Sequence, residues 1–371
     1  MDIISIVIGI GSYNDLGLIR SLGEVGVKSI YLYSQHLIVP IYKSKYVLDH
    51  KMLPTQVSSI KAEICHILDS YSPQKLVVFP ASDDAVLVMD QIWATLPKNV
   101  FTSHAHGIIE ELMDKSLMDR MAKDAGLLTP MTKLVDMSSF SCPIDFPIII
   151  KPVKSIDGNK SDIRVCYDKD SYNCAIDDYK KKGYKSALIQ QYLKDDSSRE
   201  IGITGVSMPN GEIVIHGYID KIRNRSNINN FGIYNPNDNP DCLKSIASYI
   251  KTTGYVGVFD TDFIEFNGKL YFIECNFRNG AYGYCTTRAG VNMPAMFAGI
   301  AYTSRKPRRV VFMEERTDLL NMLHKSISVY QWIKDILRTD VFLWNNLRDP
   351  RPMLRIPEPI KRLFRIKKSI I

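Results

Sequence analysis

The sequence predicts an α/β protein in two parts: an N-terminal domain with a doubly wound parallel sheet, then an α+β region built on antiparallel sheets. Three observations carry this. The first ~100 residues alternate short apolar runs with apolar residues at helical spacing. Beyond residue 150 the apolar runs instead flank hairpin turns, Pro209-Asn210-Gly211 and Asn267-Gly268. The chain has 371 residues, 45% hydrophobic and 23% charged, enough to bury two or three cores.

Residues 3–10 form an apolar run that ends in Gly9-Ile10-Gly11, a buried strand entering a tight turn. Helical spacing follows over 16–25, a strand over 29–33, a helix over 58–70 and a strand over 76–79. The turn Pro80-Ala81-Ser82-Asp83-Asp84 closes that strand. Gly9, Gly11 and Gly17 do not make a dinucleotide fingerprint: the third glycine comes too late and no acid closes the next strand. A helix over 115–124 stops at Gly126 and Pro130, and Phe146-Pro147-Ile148-Ile149-Ile150-Lys151-Pro152 is a short buried strand ending in a lysine. Strands over 187–193, 201–207 and 213–221, a helix over 240–253, and a hairpin of 258–266 with 270–275 complete the second part. The expected domains are 1–108, 109–305 with a small lobe over about 125–195 and a large lobe over about 196–305, and a basic helical extension over 306–371.

Seven cysteines without a CxxC pair fit reduced thiols and a cytoplasmic protein, and their spacing offers no zinc site. No run of eighteen apolar residues suggests a membrane span. The net charge of +7 is uneven: from Arg305 onward 16 Lys and Arg stand against 7 Asp and Glu, so the remainder is near neutral. This argues against a nucleic-acid partner for the body of the chain.

The chemistry concentrates in residues 257–278. Alternation along a strand puts Asp260 and Asp262 on one face, and Glu274 and Asn276 on one face of the partner strand. Such hard oxygen donors in an apolar setting suit Mg2+ or Mn2+ holding nucleotide phosphates. Arg278 stands where a guanidinium would reach the same phosphates. Cys275, between two of these residues, points to the opposite face and reads as core. His216 also reads as structural.

Tyr271-Phe272-Ile273-Glu274-Cys275-Asn276-Phe277-Arg278 resembles the E-x-N-x-R signature of the ATP-grasp superfamily. That resemblance implies metal ligation by Asp262, Glu274 and Asn276, with Asp260 as the alternative to Asp262, and phosphate binding by Arg278. Phe277 replaces the usual proline. Met113-Asp114-Lys115, followed by Ala125-Gly126-Leu127-Leu128-Thr129-Pro130, is similar to the lysine-bearing helix of that superfamily, and residues 146–152 to its F-P-h-h-h-K-P strand; Lys115 and Lys151 are then phosphate ligands. Leu188-Ile189-Gln190-Gln191-Tyr192-Leu193 resembles the adenine hinge, with Gln191 where a glutamate is common. Ser198-Arg199-Glu200-Ile201 resembles the segment whose glutamate accepts the ribose hydroxyls. Residues 154–161 match the phosphate-covering loop least well, with a single glycine and Lys160 as a further phosphate contact. The branch most similar is that of ATP-dependent carboligases and D-aspartate-ligase-like proteins, which share Pro80-Ala81-Ser82-Asp83-Asp84 and Asp349-Pro350-Arg351-Pro352. The parallel-sheet domain then corresponds to a pre-ATP-grasp domain, and the lobes to a two-lobed ATP-grasp fold.

The resemblance implies an ADP-forming carboxylate–amine ligase with ATP and Mg2+ or Mn2+ as cofactors, a small or nucleotide-linked carboxylate and an amine as substrates, and Lys151 and Arg278 as catalytic cations. A nucleotide-binding relative without ligase activity, or a carboxylase or phosphotransferase on a small acid, are the competing functions. Lys221, Arg223 and Arg288 are the candidate cations for the acceptor acid. Homo-oligomerisation is compatible with this reading. The final stretch, 356–371, holds five basic residues interleaved with apolar ones and one acid, and is expected to make a peripheral membrane or protein contact.

Overall fold

The computed structural model describes residues 3–34, 39–54, 56–137, 142–153, 162–195, 197–225, 228–236, 240–301 and 306–353. Lys160, the rest of the segment 154–161 expected to cover phosphate, and the stretch 356–371 lie outside these residues.

The N-terminal domain contains β1 (Ile3–Gly9), α1 (Tyr13–Gly23), β2 (Lys28–Tyr33), β3 (Val47–Met52), α2 (Val57–Tyr71), β4 (Lys75–Pro80), α3 (Asp83–Ile92) and β5 (Val100–Thr102). Its five strands are parallel, in the order β3-β2-β1-β4-β5. Both faces are apolar because both are covered. Val7, Tyr31, Val77 and Phe79 pack against Leu16, Ile19 and Leu22 of α1. Ile6, Ile30, Leu76 and Val78 pack against Ile60 and Ile64 of α2 and Met89 of α3. The glycine turn after β1 is closed by the protein itself. Buried Asp15 accepts from the Gly11 N–H at 2.8 Å, from the Ser12 hydroxyl at 2.7 Å and from the Tyr31 hydroxyl at 2.7 Å.

Two short helices, α4 (Ile109–Leu112) and α5 (Lys115–Asp124), lead into the small lobe. Asp114 caps α5 by accepting from the backbone N–H groups of Ser116 and Leu117. The small lobe is an antiparallel sheet in the order β6-β9-β7-β8, from β6 (Thr132–Asp136), β7 (Ile148–Lys151), β8 (Arg164–Cys166) and β9 (Ser186–Gln191), covered by α6 (Lys169–Lys181).

The large lobe holds β10 (Arg199–Ser207), β11 (Ile213–Ile215), β12 (Tyr218–Arg225), β13 (Ile228–Asn235), α7 (Pro240–Thr253), β14 (Gly257–Phe266), β15 (Lys269–Asn276), α8 (Gly283–Ala289) and α9 (Met293–Phe297). The single strand expected over 213–221 is broken at Gly217. Its φ is +66°, and a Cβ there would lie 2.1 Å from the Asn235 carbonyl oxygen.

The C-terminal segment is not the helical extension the charge pattern suggested. It supplies β16 (Val310–Met313), α10 (Glu315–Leu323), α11 (Val329–Leu337) and β17 (Val341–Phe342). The two strands extend the large sheet, whose order is β15-β14-β10-β12-β13-β16-β17, with β11 beside β10. Val310 to Met313 are all buried, an apolar run that a solvated helix would not carry. Asp349 of the Asp-Pro-Arg-Pro turn returns to the first domain and meets fully buried Arg20 of α1 at 3.0 Å. Among the described residues no helix is long and apolar enough to cross a membrane.

Candidate active site

The reaction face of the large sheet is set by the β14–β15 register. Asp260 stands opposite Asn276, Thr261 opposite Cys275, and Asp262 opposite Glu274. The strand period of two therefore places all four oxygen-bearing side chains on one face. Thr261 and Cys275 point the other way, and Cys275 packs with Met118, Tyr249 and Phe272.

Charges on this face are internally compensated. Lys221 of β12 reaches across β10 and donates from Nζ to Asp262 Oδ1 at 2.5 Å, with the Tyr282 ring 5.0 Å away. Gly202 of β10 permits the crossing: a Cβ there would stand 3.1 Å from Lys221 Cε and 3.0 Å from Tyr282. Burial works against the Lys221 ammonium, but the Asp262 carboxylate outweighs it and holds the pKa well above the usual lysine value. Asp260 is buried, and its Oδ1 has no hydrogen-bond partner. Burial, then the Asp262 charge, raise its pKa to about 8 against the pull of Lys221 and Arg278. Arg278, just beyond β15, donates from Nε to Asp83 Oδ1 at 2.6 Å and lies 3.4 Å from Asn276 Oδ1.

The small lobe faces this arrangement. Lys115, Lys151, Gln190 and Glu274, with Asp119 and Phe272, line one small cavity. Lys151 Nζ donates to Gln190 Oε1 at 2.7 Å, and Gln190 Nε2 donates to Thr132 Oγ1 at 3.0 Å, which fixes the amide's orientation. Burial lowers the Lys151 pKa to about 8; Glu274 opposes the shift and Lys115 adds to it. At the hinge the Gln191 N–H donates to Met131 O and the Tyr192 N–H to Pro147 O, while the Leu193 side chain is buried. Glu200 accepts from Lys194 Nζ at 3.0 Å and from Asn224 Nδ2 at 2.5 Å, at the start of β10.

Two expected substrate cations are placed elsewhere. The β12–β13 register steps from Lys221 opposite Gly232 to Arg223 opposite Phe231. This bulge inserts Ile222 and turns Arg223 off the face that Lys221 occupies. Arg223 lies 4.3 Å from the centre of the Phe231 ring and is clamped by buried carboxylates: Nε and an Nη to Asp318 at 3.0 and 2.9 Å, the other Nη to Asp335 at 2.5 Å. Arg288 of α8 pairs with Glu24 beside α1 at 3.1 Å. His216 serves through its carbonyl, which accepts from the Tyr234 hydroxyl.

Asp83 is the residue for which sequence reasoning found no role. It begins α3, in the Ser82-Asp83-Asp84 turn already singled out, and its partner Arg278 is 195 residues away. Asn14 and Asn279 make a similar contact between the domains: Asn14 Nδ2 donates to the Asn279 carbonyl at 2.8 Å.

The donor set suits a hard cation held largely by phosphate. Among the described residues no three Asp, Glu, His or Cys side chains converge as a ready cage. An ion of the Mg2+ type needs only one or two protein carboxylates beside nucleotide phosphates and water. Asp262, Glu274, Asn276 and the orphan oxygen of Asp260 meet that need.

Residues 122–298 match the RimK-like ATP-grasp domain family. No curated protein matches the chain in sequence. Among solved structures, N5-carboxyaminoimidazole synthetase from Staphylococcus aureus superposes with a TM-score of 0.64 at 14% identity, over 87% of this chain and 86% of that one. L-amino acid ligase from Bacillus licheniformis gives 0.61 at 14% identity, over 84% and 79%. The biotin carboxylase domain of Hydrogenobacter thermophilus 2-oxoglutarate carboxylase, in complex with MgADP, ADP and bicarbonate, gives 0.62 at 17% identity, over 83% and 73%. The matched span, residues 122–298, is a RimK-like ATP-grasp domain, and the E-x-N-x-R strand end lies within it.

Proposed function

We propose that this protein is an ATP-dependent carboxylate–amine ligase, forming an amide through an acyl phosphate and releasing ADP and phosphate. The observation that carries the reading is the pairing of Asp260 with Asn276 and Asp262 with Glu274 on one sheet face, in the same site as Arg278 and Lys151. A carboxylate is a poor electrophile. Moving the γ-phosphoryl group onto its oxygen, with ADP leaving, makes a mixed anhydride. An amine then attacks the carbonyl carbon, phosphate departs, and the ammonium proton is lost. Positioning and charge neutralisation supply most of the acceleration in such phosphoryl transfer.

A bound divalent cation would supply charge neutralisation for the transferred phosphoryl group. Asp262, Glu274 and Asn276, with Asp260, are the residues that would hold it. Lys115, Lys151 and Arg278 present cations to the triphosphate, with Lys151 held by Gln190 and Arg278 by Asp83. The hinge over Gln190, Gln191, Tyr192 and Leu193 takes the adenine, and Glu200 the ribose. Lys221 is the cation on the reaction face nearest to where the acceptor acid must approach; Arg223 and Arg288 keep their carboxylate partners.

The test is a screen of acids and amines with ATP and Mg2+, read by ADP, phosphate and product mass. Release that requires both an acid and an amine supports the ligase. Release with acid alone assigns phosphate transfer instead, and AMP with pyrophosphate would overturn the acyl-phosphate route.

A further inference from the structure

Among the described residues, the hairpin of α10 and α11 carries an outward face without cover. Leu320, Leu323, Val329, Tyr330, Ile333 and Leu337 are all exposed, Leu323 by 60%, Tyr330 by 76% and Leu337 by 81%. In α11, residues 329, 330, 333 and 337 recur at helical spacing and form one stripe. In α10, residues 320 and 323 are exposed as well. A cluster of large apolar side chains at this exposure marks an interaction surface.

The charge pattern of the hairpin is one-sided. Between residues 319 and 338 the outward charged side chains are Lys325 and Lys334, while Arg338 turns back onto buried Asp335 and the Phe231 ring. The one acid in that span, Asp335, is buried under the helices, where it receives Arg223, Gln331 and Arg338. Asp318 at the start of α10 is likewise buried on Arg223. Arg223 therefore anchors both helices to the sheet, on the face opposite Lys221 and Asp262, and it withdraws the negative charge from the surface.

We propose that the α10–α11 hairpin docks the protein on an anionic lipid surface. An apolar stripe flanked by cations matches the interface between acyl chains and acidic headgroups. A two-fold contact with a second copy would bring the same cations together with no outward acid on the hairpin to neutralise them. Each helix has nine residues, so it lies in the interface and does not span. This inference stands apart from the ligase reading and from the basic stretch 356–371.

The test is co-sedimentation of the full chain with vesicles of phosphatidylcholine alone or mixed with phosphatidylglycerol. Binding to the mixed vesicles is expected, weakened by salt. The triple variant L323E/Y330E/L337E changes only exposed positions outside the active site and keeps 356–371, so its melting temperature should hold while partitioning falls more than about tenfold. K325E/K334E should lose the preference for phosphatidylglycerol. Sedimentation of the triple variant equal to wild type would overturn the proposal. So would a wild-type dimer in analytical ultracentrifugation that the triple variant abolishes, with no vesicle binding by either protein.

Discussion

Lys221 and Asp262 form an ion pair across the intervening strand β10, Nζ to Oδ1 at 2.5 Å, on the sheet face that also carries Asp260, Glu274 and Asn276. In the proposed metal site a divalent cation would compete with this ammonium for Asp262. Lys221→Met is expected to raise Mn2+ affinity of the nucleotide-free protein by roughly tenfold, the equivalent of about 1.4 kcal/mol, while lowering ATP turnover. A Mn2+ titration followed by electron paramagnetic resonance checks the first part, and weaker binding in the variant would refute the competition.

Arg278 is aimed by Asp83 from another domain. Asp83→Ala should leave the melting temperature nearly unchanged, since the carboxylate is partly exposed. It should weaken ATP binding or turnover on the order of tenfold, because the guanidinium is no longer held in place. Calorimetry and steady-state kinetics measure both; wild-type values would show that Arg278 needs no such support.

Glu274→Ala and Asn276→Ala each remove an oxygen donor while the opposite face of β15 keeps its packing. ATP turnover should be lost in both, and the melting temperature should move by only a few degrees. Near-normal turnover in both would remove these residues from the metal site.

Arg223→Met leaves Asp318 and Asp335 buried with their main cation gone. A loss of about 3–5 kcal/mol in unfolding free energy is expected, with ATP affinity unchanged. Urea denaturation and calorimetry separate these outcomes. A variant of normal stability that has lost only acid-dependent turnover would return Arg223 to the substrate site.

Lys151 has a folded pKa of about 8 against an ordinary 10.5. Between these values the unfolded chain carries a proton that the folded chain lacks, so stability rises with pH through this window. The burden on the fold is fully present below the folded value. Phosphates beside the ammonium should restore its proton. Metal-free ATP binding at about pH 9 should therefore take up protons, and at about pH 6.5 should take up almost none. Titration calorimetry in buffers of different ionisation enthalpy reads the uptake. Equal uptake at both pH values would mean that Lys151 does not meet the phosphates.

Much of the architecture was legible locally. The helix over 115–124 coincides with α5, where the Asp114 cap and the stop at Gly126 lie beside the segment, and that over 240–253 coincides with α7. The parallel sheet was legible because buried strands need unbroken apolar runs. The break at Gly217 and the strands of the C-terminal segment were not, since each depends on what packs against it.

The site divides along the same line. Sequence alone determined that Asp260 and Asp262 share one face of their strand and Glu274 and Asn276 one face of the partner; unbroken pairing from the two-residue turn would set Asp262 against Ile273, and the register shift between Asp262 and Phe263 is what brings all four onto one face. Lys115 and Lys151 precede them in an order that resembles the ATP-grasp arrangement. Only the tertiary structure decided that Asp83 holds Arg278, and that Lys221 rather than Arg223 faces Asp262. One inserted residue, Ile222, reverses the side to which Arg223 points. Whether a strand takes such a bulge is settled by its partner strand and by buried carboxylates nearly a hundred residues away, not by the strand's own sequence.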